Sequence, residues 1–149
     1  LYDRQRRIVA AVHAGWRGTV NRILTKTLHR MQSAYGTEGT DVIACIGPGI
    51  SLDSFEVGDE VYEAFRTENF PMEYISVWKP ETHKYHIDLW AANRLQLSDF
   101  GVPPRQIENA GVCTYRQHED FFSARRLGIK SGRILSGIML NGQEKGERK

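Results

Sequence analysis

Apolar residues along the chain fall in short blocks separated by glycine and proline, and the spacing within the blocks switches between strand-like runs and helical repeats. Residues 8–12, Ile-Val-Ala-Ala-Val, read as a short buried strand, after which Gly15 and Gly18 punctuate the chain. From Thr19 to about Tyr35, Val20, Ile23, Leu24, Leu28 and Met31 recur at helical spacing, Asn21, Arg22, Lys26 and Arg30 take the other face, and Gly36 supplies a stop. Residues 41–46 predict a second strand ending in the Gly47-Pro48-Gly49 turn, and residues 57–65 a helix with Val61, Ala64 and Phe65 on one side. The stretch from Pro71 to Tyr85 is less regular, with a strand at 74–78. Asp88 is placed to cap a helix carrying Leu89, Ala92, Leu95, Leu97 and Phe100, stopped by Gly101 and Pro103-Pro104. A strand at 107–113, a polar loop at 115–120 and a last apolar strand at 133–140 complete the order. Strands and helices interleave without an internal repeat, so the expected class is α+β with a mixed β-sheet.

Composition narrows the field. A chain of 149 residues, 40% hydrophobic, can bury one good core and is short for two domains. Its 20 basic and 18 acidic residues nearly cancel to a net charge of +2, which leaves no broad basic field for nucleic acid. Cys45 and Cys113 match neither a CxxC metal pair nor a disulfide framework, so a reducing cytoplasm is expected. No apolar run of about 18 residues and no signal-peptide pattern argue for a membrane span or export. The chain opens on Leu1-Tyr2-Asp3 without an initiator Met and runs at once toward an apolar strand, which reads as the C-terminal portion of one larger domain over 1–141. The polar, charge-mixed end, 142–149, is expected to be a disordered tail.

Chemistry concentrates in two places. His13 sits where an apolar strand gives way to a glycine-bearing turn, a position suited either to a metal ligand or base or to a satisfied structural histidine. Arg17 follows at a helix start, where free N–H groups favour an anion; a bidentate pair with a carboxylate is the structural alternative. Trp16 reads as a wall of the core or cleft more readily than as a stacking platform. In Phe121-Phe122-Ser123-Ala124-Arg125-Arg126, two arginines follow a hydroxyl in a segment apolar enough to be buried, so Arg125 and Arg126 either clamp a phosphate or pair with Asp or Glu. Ser123 suits orientation of a substrate and lacks the GxSxG elbow of a nucleophile. Cys113 with His118 invites a nucleophile reading, but a small buried thiol is simpler, and Cys45 reads as core. His29, His83 and His86 have no partner at metal-ligand spacing and stay unassigned. Glu56 and Asp88 are candidate acid or base groups whose simpler roles are helix entry and capping.

The run Ala11-Val12-His13-Ala14-Gly15-Trp16-Arg17-Gly18 resembles the HAGWRG signature of the YfiH-like family, variously labelled multicopper polyphenol oxidase, laccase-domain protein, peptidoglycan editing factor and purine nucleoside phosphorylase. Ile46-Gly47-Pro48 through Phe55-Glu56-Val57-Gly58, Cys113-Thr114, and Phe121-Phe122-Ser123 with Arg125-Arg126 and Gly132-Arg133 follow in the family's order, so the resemblance runs from about Ile8 to Leu140. Ser51-Leu52-Asp53-Ser54 replaces a loop that often carries Gly-Pro, and Ala124 and Leu127 stand where an aromatic residue and an Asp are common.

The resemblance implies an α+β fold of the YfiH-like, cytotoxic necrotising factor-like type and a zinc enzyme of purine nucleosides, phosphorolysing adenosine, inosine or methylthioadenosine and deaminating adenosine. By that match His13 is one of three zinc ligands; the other two, a histidine and a cysteine, belong to motifs upstream of HAGWRG, so neither Cys45 nor Cys113 inherits the role. Three protein ligands leave zinc an open position for a water. Phosphorolysis also needs an anion site, for which Arg17, Arg125 and Arg126 are the candidates, with Ser123 orienting the substrate. The implied partners are a small nucleoside and phosphate. Editing of cell-wall precursors by a cysteine-type hydrolase and a non-catalytic binding module are the alternatives. Copper oxidase chemistry carries little weight, because blue-copper and multicopper sites need clustered His with Cys and Met, and five dispersed histidines do not supply them.

Overall fold

Two sheets, joined by one helix, set the architecture of the computed structural model, which describes residues 1–142. The first sheet has the order β2-β1-β3-β7, from β1 (Tyr2–Asp3), β2 (Ile8–Val9), β3 (Val42–Ile46) and β7 (Ile107–Asn109). The second is antiparallel, with β6 (Lys84–Ile87) between β4 (Glu56–Val57) and β5 (Ser76–Lys79). The helices are α1 (Trp16–Val20), α2 (Ile23–Tyr35), α3 (Asp59–Thr67), α4 (Met72–Ile75), α5 (Leu89–Asp99) and α6 (Ala124–Leu127). The mixed α+β expectation is met.

Helix α5 serves both cores. Its Leu97 packs with Leu24 and Leu28 of α2 against Val42 and Ala44 of β3, while Leu89 and Ala92 join Phe65, Ile75 and Ile87 in the second cluster. Asp88 caps α5 as expected, accepting from the Ala91 amide at 2.9 Å. Gly36 ends α2 in the left-handed region, φ 71°, its amide bonded to the Gln32 carbonyl.

Several expectations are corrected. The helix predicted from Thr19 to Tyr35 is two helices, because Arg22 adopts φ 56° between them, held by its guanidinium 3.8 Å from the Phe70 ring centre and bonded to the Glu68 carbonyl. The strand predicted at 107–113 stops at Asn109, since Gly111 turns at φ 66°, and pairing resumes only as a bridge between Gly49 and Cys113. Cys45 is exposed: alternation along β3 turns Val42 and Ala44 inward and Ile43 and Cys45 outward. Residues 133–140 form no strand. Leu135 and Met139 are 96% and 80% exposed, and the run drapes past Tyr2 and Val9 while Arg7 donates to the Asn141 carbonyl. An apolar run without a hydrogen-bonded edge in register gains no ladder, whatever its side chains favour. The expected tail at 142–149 lies, past Gly142, outside the described residues.

Strand direction places the loops. β1 is antiparallel to β2 and β3, and β3 is parallel to β7, so β2, β3 and β7 point the same way. The segments leaving them, 10–15, 47–51 and 110–114, therefore gather at one end of the sheet. The other end is closed by polar contacts. Asp3 is fully buried; its Oδ1 accepts the Gln5 and Arg6 amides, its Oδ2 lies 3.6 Å from Arg6 Nη1, and the same Nη1 meets Asp41 at 2.9 Å. Burial pushes the Asp3 carboxyl up, but the Arg6 amide, the neighbouring Thr37 hydroxyl, the Gln5 amide and the Arg6 charge together hold it below the ordinary range. Thr37 is set too loosely for a full hydrogen bond. Gln106 closes the same end through the carbonyls of Thr40 and Val42.

Candidate functional site

The turn after β2 carries His13 and Arg17, both exposed, with Trp16 half-buried between them. Two glycines shape it. A side chain at Gly15 would stand 3.2 Å from His13 Nε2, and one at Gly18 would stand 3.2 Å from the His13 carbonyl, so the imidazole and its own backbone lie over positions that only glycine leaves open. Trp16 and Ile50 both pack against the core cluster containing Phe55, so this turn and the loop after β3 share one apolar support. Gly49 in that loop has the Trp90 indole nitrogen 2.9 Å from where a Cβ would be.

Arg17 lies with its guanidinium 4.2 Å from the Trp16 ring centre and pairs with no carboxylate among the described residues. The alternative of a bidentate structural pair is not formed. Helix α1 is only five residues long, so its dipole adds little to an anion site. Arg17 itself is the cation.

The second group does not have the buried form that its sequence suggests. Ser123 is buried and caps α6, its Oγ accepting the Arg126 amide at 3.3 Å. Arg125 and Arg126 are exposed. Arg125 donates to the Glu56 carbonyl at 2.7 Å and lies 5.1 Å from the Phe55 ring centre; Arg126 lies 5.1 Å from that of Tyr115. Neither pairs with Asp or Glu among the described residues. Phe55 therefore meets Arg125 on one side and belongs to the cluster that carries Trp16. Among the described residues, no hydrogen bond or ion pair joins the His13–Arg17 turn to the Ser123–Arg126 turn; the apolar cluster connects them.

A polar cluster that the spacing of the sequence does not reveal surrounds Cys113. Cys113, buried, accepts from the Ser51 hydroxyl at 3.1 Å and the Ser51 amide at 3.4 Å, with the Ser54 hydroxyl at 3.6 Å. Burial pushes the thiol up, but the hydroxyl and amide of Ser51, the Arg116 amide and the Ser54 hydroxyl outweigh it and bring it down to about 7. No bond joins Cys113 to His118. His86, read from sequence as part of a polar stretch, is a buried strand residue whose Nδ1 donates to the Leu52 carbonyl at 2.9 Å. Alternation along Tyr85-His86-Ile87 would turn His86 to the polar face; contact of β6 with the Leu52–Ser54 turn, which sequence spacing does not show, accompanies its burial. Glu56 lies on β4 rather than at a helix entry; the Lys84 ammonium at 3.1 Å is the main reason its carboxyl stays below the ordinary range, so it is no general acid at neutral pH.

The described residues contain no group of three His, Cys, Asp or Glu close enough to hold a metal ion. His13, exposed above Gly15, suits a single donor; the residues present do not make a zinc site by themselves. No helix among the described residues is long and apolar enough to cross a membrane.

A family model described as multi-copper polyphenol oxidoreductase laccase matches residues 1–141. A purine nucleoside phosphorylase of Bacteroides thetaiotaomicron is 62% identical over 141 residues, covering 95% of this chain and 52% of that protein. Adenosine deaminase RL5, from an unknown prokaryotic organism, is 49% identical over 138 residues, covering 93% of this chain and 52% of that protein. The crystal structure of Bacillus licheniformis hypothetical protein YfiH superposes with a TM-score of 0.76 at 31% identity, covering 84% of this chain and 47% of that one, so the YfiH-like fold is shared. The chain spans about half the length of the curated relatives it matches.

Proposed function

The chain belongs to the multi-copper polyphenol oxidoreductase laccase family, and from that membership we propose that it is part of an enzyme acting on purine nucleosides. The proposed reactions are phosphorolysis of adenosine, inosine or methylthioadenosine and deamination of adenosine; the names of the phosphorylase and deaminase relatives support the nucleoside class. One observation carries the anion half of this reading. Arg17, Arg125 and Arg126 are all exposed, all without a carboxylate partner among the described residues, and each leans over an aromatic ring. Stacking fixes the plane of a guanidinium while leaving N–H donors for an oxyanion such as phosphate. Ser123 holds the α6 turn that presents two of them.

His13 is proposed as one ligand of zinc, with the remaining ligands from outside these residues. Bound zinc would supply Lewis-acid chemistry. A reducing cytoplasm is the proposed compartment, consistent with two unpaired cysteines. The test is phosphate-dependent release of adenine or hypoxanthine, measured on a chain extended to the relatives' full length. His13→Ala is expected to abolish release, and Arg17→Ala to raise the KM for phosphate by about tenfold. Full release by His13→Ala would overturn the assignment of His13.

A further inference from the structure

Thr19 is fully buried, yet its hydroxyl is spent on a residue outside its own helix. A helical threonine commonly bonds back to the carbonyl four residues earlier. Here that carbonyl, Gly15, accepts the Thr19 amide at 2.8 Å, and the Thr19 hydroxyl instead donates to the Ala14 carbonyl at 3.0 Å. The bond fixes the Ala14–Gly15 peptide, one residue beyond His13.

Helix α5 holds Thr19 in turn. Asn93 Nδ2 donates to the Thr19 hydroxyl at 3.1 Å and to the Leu89 carbonyl at 2.7 Å, and Gln96 Nε2 donates to the Thr19 carbonyl at 3.3 Å. Gln96 is locked at its other atom, Oε1 accepting from the Thr25 hydroxyl at 3.0 Å. Asn93 and Gln96 are buried on the helix that supplies both cores, where leucine would bury more apolar surface without polar cost. Asn93 Oδ1 is left buried with no partner. Stability alone does not account for a polar group kept in the core with one oxygen unsatisfied.

We infer that Thr19, Asn93 and Gln96 are positioning residues that aim the His13 imidazole by pinning the Ala14 peptide. The inference rests on the reading of His13 as a site residue. Three constraints converge on that one backbone: the Thr19 hydroxyl from the helix side, Gly18 beneath the His13 carbonyl, and Gly15 beneath its ring. A side chain aimed by its own backbone keeps its direction without a hydrogen bond to the ring, which leaves both ring nitrogens free for a ligand.

The 149-residue chain tests this without any turnover. Amide exchange is measured in residues 14–18, together with the His13 ring signals by NMR, in Thr19→Val, Thr19→Ser and Asn93→Leu. Thr19→Val is expected to speed exchange in 14–18 by about fivefold to tenfold and to split or shift the His13 ring signals, while protection in α2 and the C-terminal turns of α5 stays within about twofold. Thr19→Ser is expected to restore the parent pattern, and Asn93→Leu to loosen 14–18 without lowering the unfolding midpoint. Unchanged exchange and ring signals in Thr19→Val, loosening spread equally over the whole chain, or failure of serine to restore the pattern would each overturn the inference. Should Thr19→Val not fold, the Asn93→Leu result decides alone. Lack of nucleoside turnover would remove the functional reading but leave this exchange pattern standing.

Discussion

The Cys113 thiol, surrounded by donors from Ser51, Ser54 and Arg116, ionises near pH 7, against an ordinary value of about 8.5. A depressed pKa means that the ionised form stabilises the fold in full above the ordinary value, and that this contribution is lost as pH falls through about 7. In a Cys45→Ser background, alkylation of Cys113 should follow a midpoint near pH 7, and Ser51→Ala should move the midpoint upward. A parent midpoint at or above the ordinary value would contradict the arrangement of donors. Nothing local in sequence announces this cluster, because Ser51 and Cys113 meet only through the pairing of Gly49 with Cys113 beyond the ends of β3 and β7. The glycine-bearing turn that carries His13 was legible because strand, glycine and helix start are adjacent in the chain. Thr19, Asn93 and Gln96 were not, since their roles depend on α5 crossing α1 from more than seventy positions away.

Elements with local punctuation were read most faithfully. Helix α5 begins and ends where Asp88, Gly101 and the two prolines place it, and removal of the cap by Asp88→Ala should cost about 1 kcal/mol. Thermal unfolding should fall by about 2–4 °C for such a change in a chain of this size. A midpoint unchanged to within a degree would mean that packing from both cores, rather than the cap, fixes the start of α5. Helix α2 was legible in its buried stripe of Leu24, Leu28 and Met31, but the break before it was not. Arg22 is an ordinary helix former, and only the Phe70 ring and Glu68 carbonyl, reached through tertiary packing, hold it in the left-handed region. The opposite failure occurs at 133–140, where side chains favour a strand and no partner edge forms one. Apolar pattern records what a segment would bury, and a sheet exists only where two segments meet.

At the scale of the whole molecule, that run changes solution behaviour. Leu135, Met139 and the outward-facing Ile43 each leave apolar side chain open to water, and exposed apolar surface favours association. Light scattering of the chain should rise with concentration, and Leu135→Lys with Met139→Lys should suppress the rise; identical scattering before and after would show that other surfaces associate. The first sheet also divides its duties by direction. Asp3, Arg6, Asp41 and Gln106 lock one end, while His13, Gly49 and Cys113 emerge from the other. The locked end is thus a place where an engineer can add crosslinks or charge to raise heat tolerance, while the architecture of the opposite rim stays as it is.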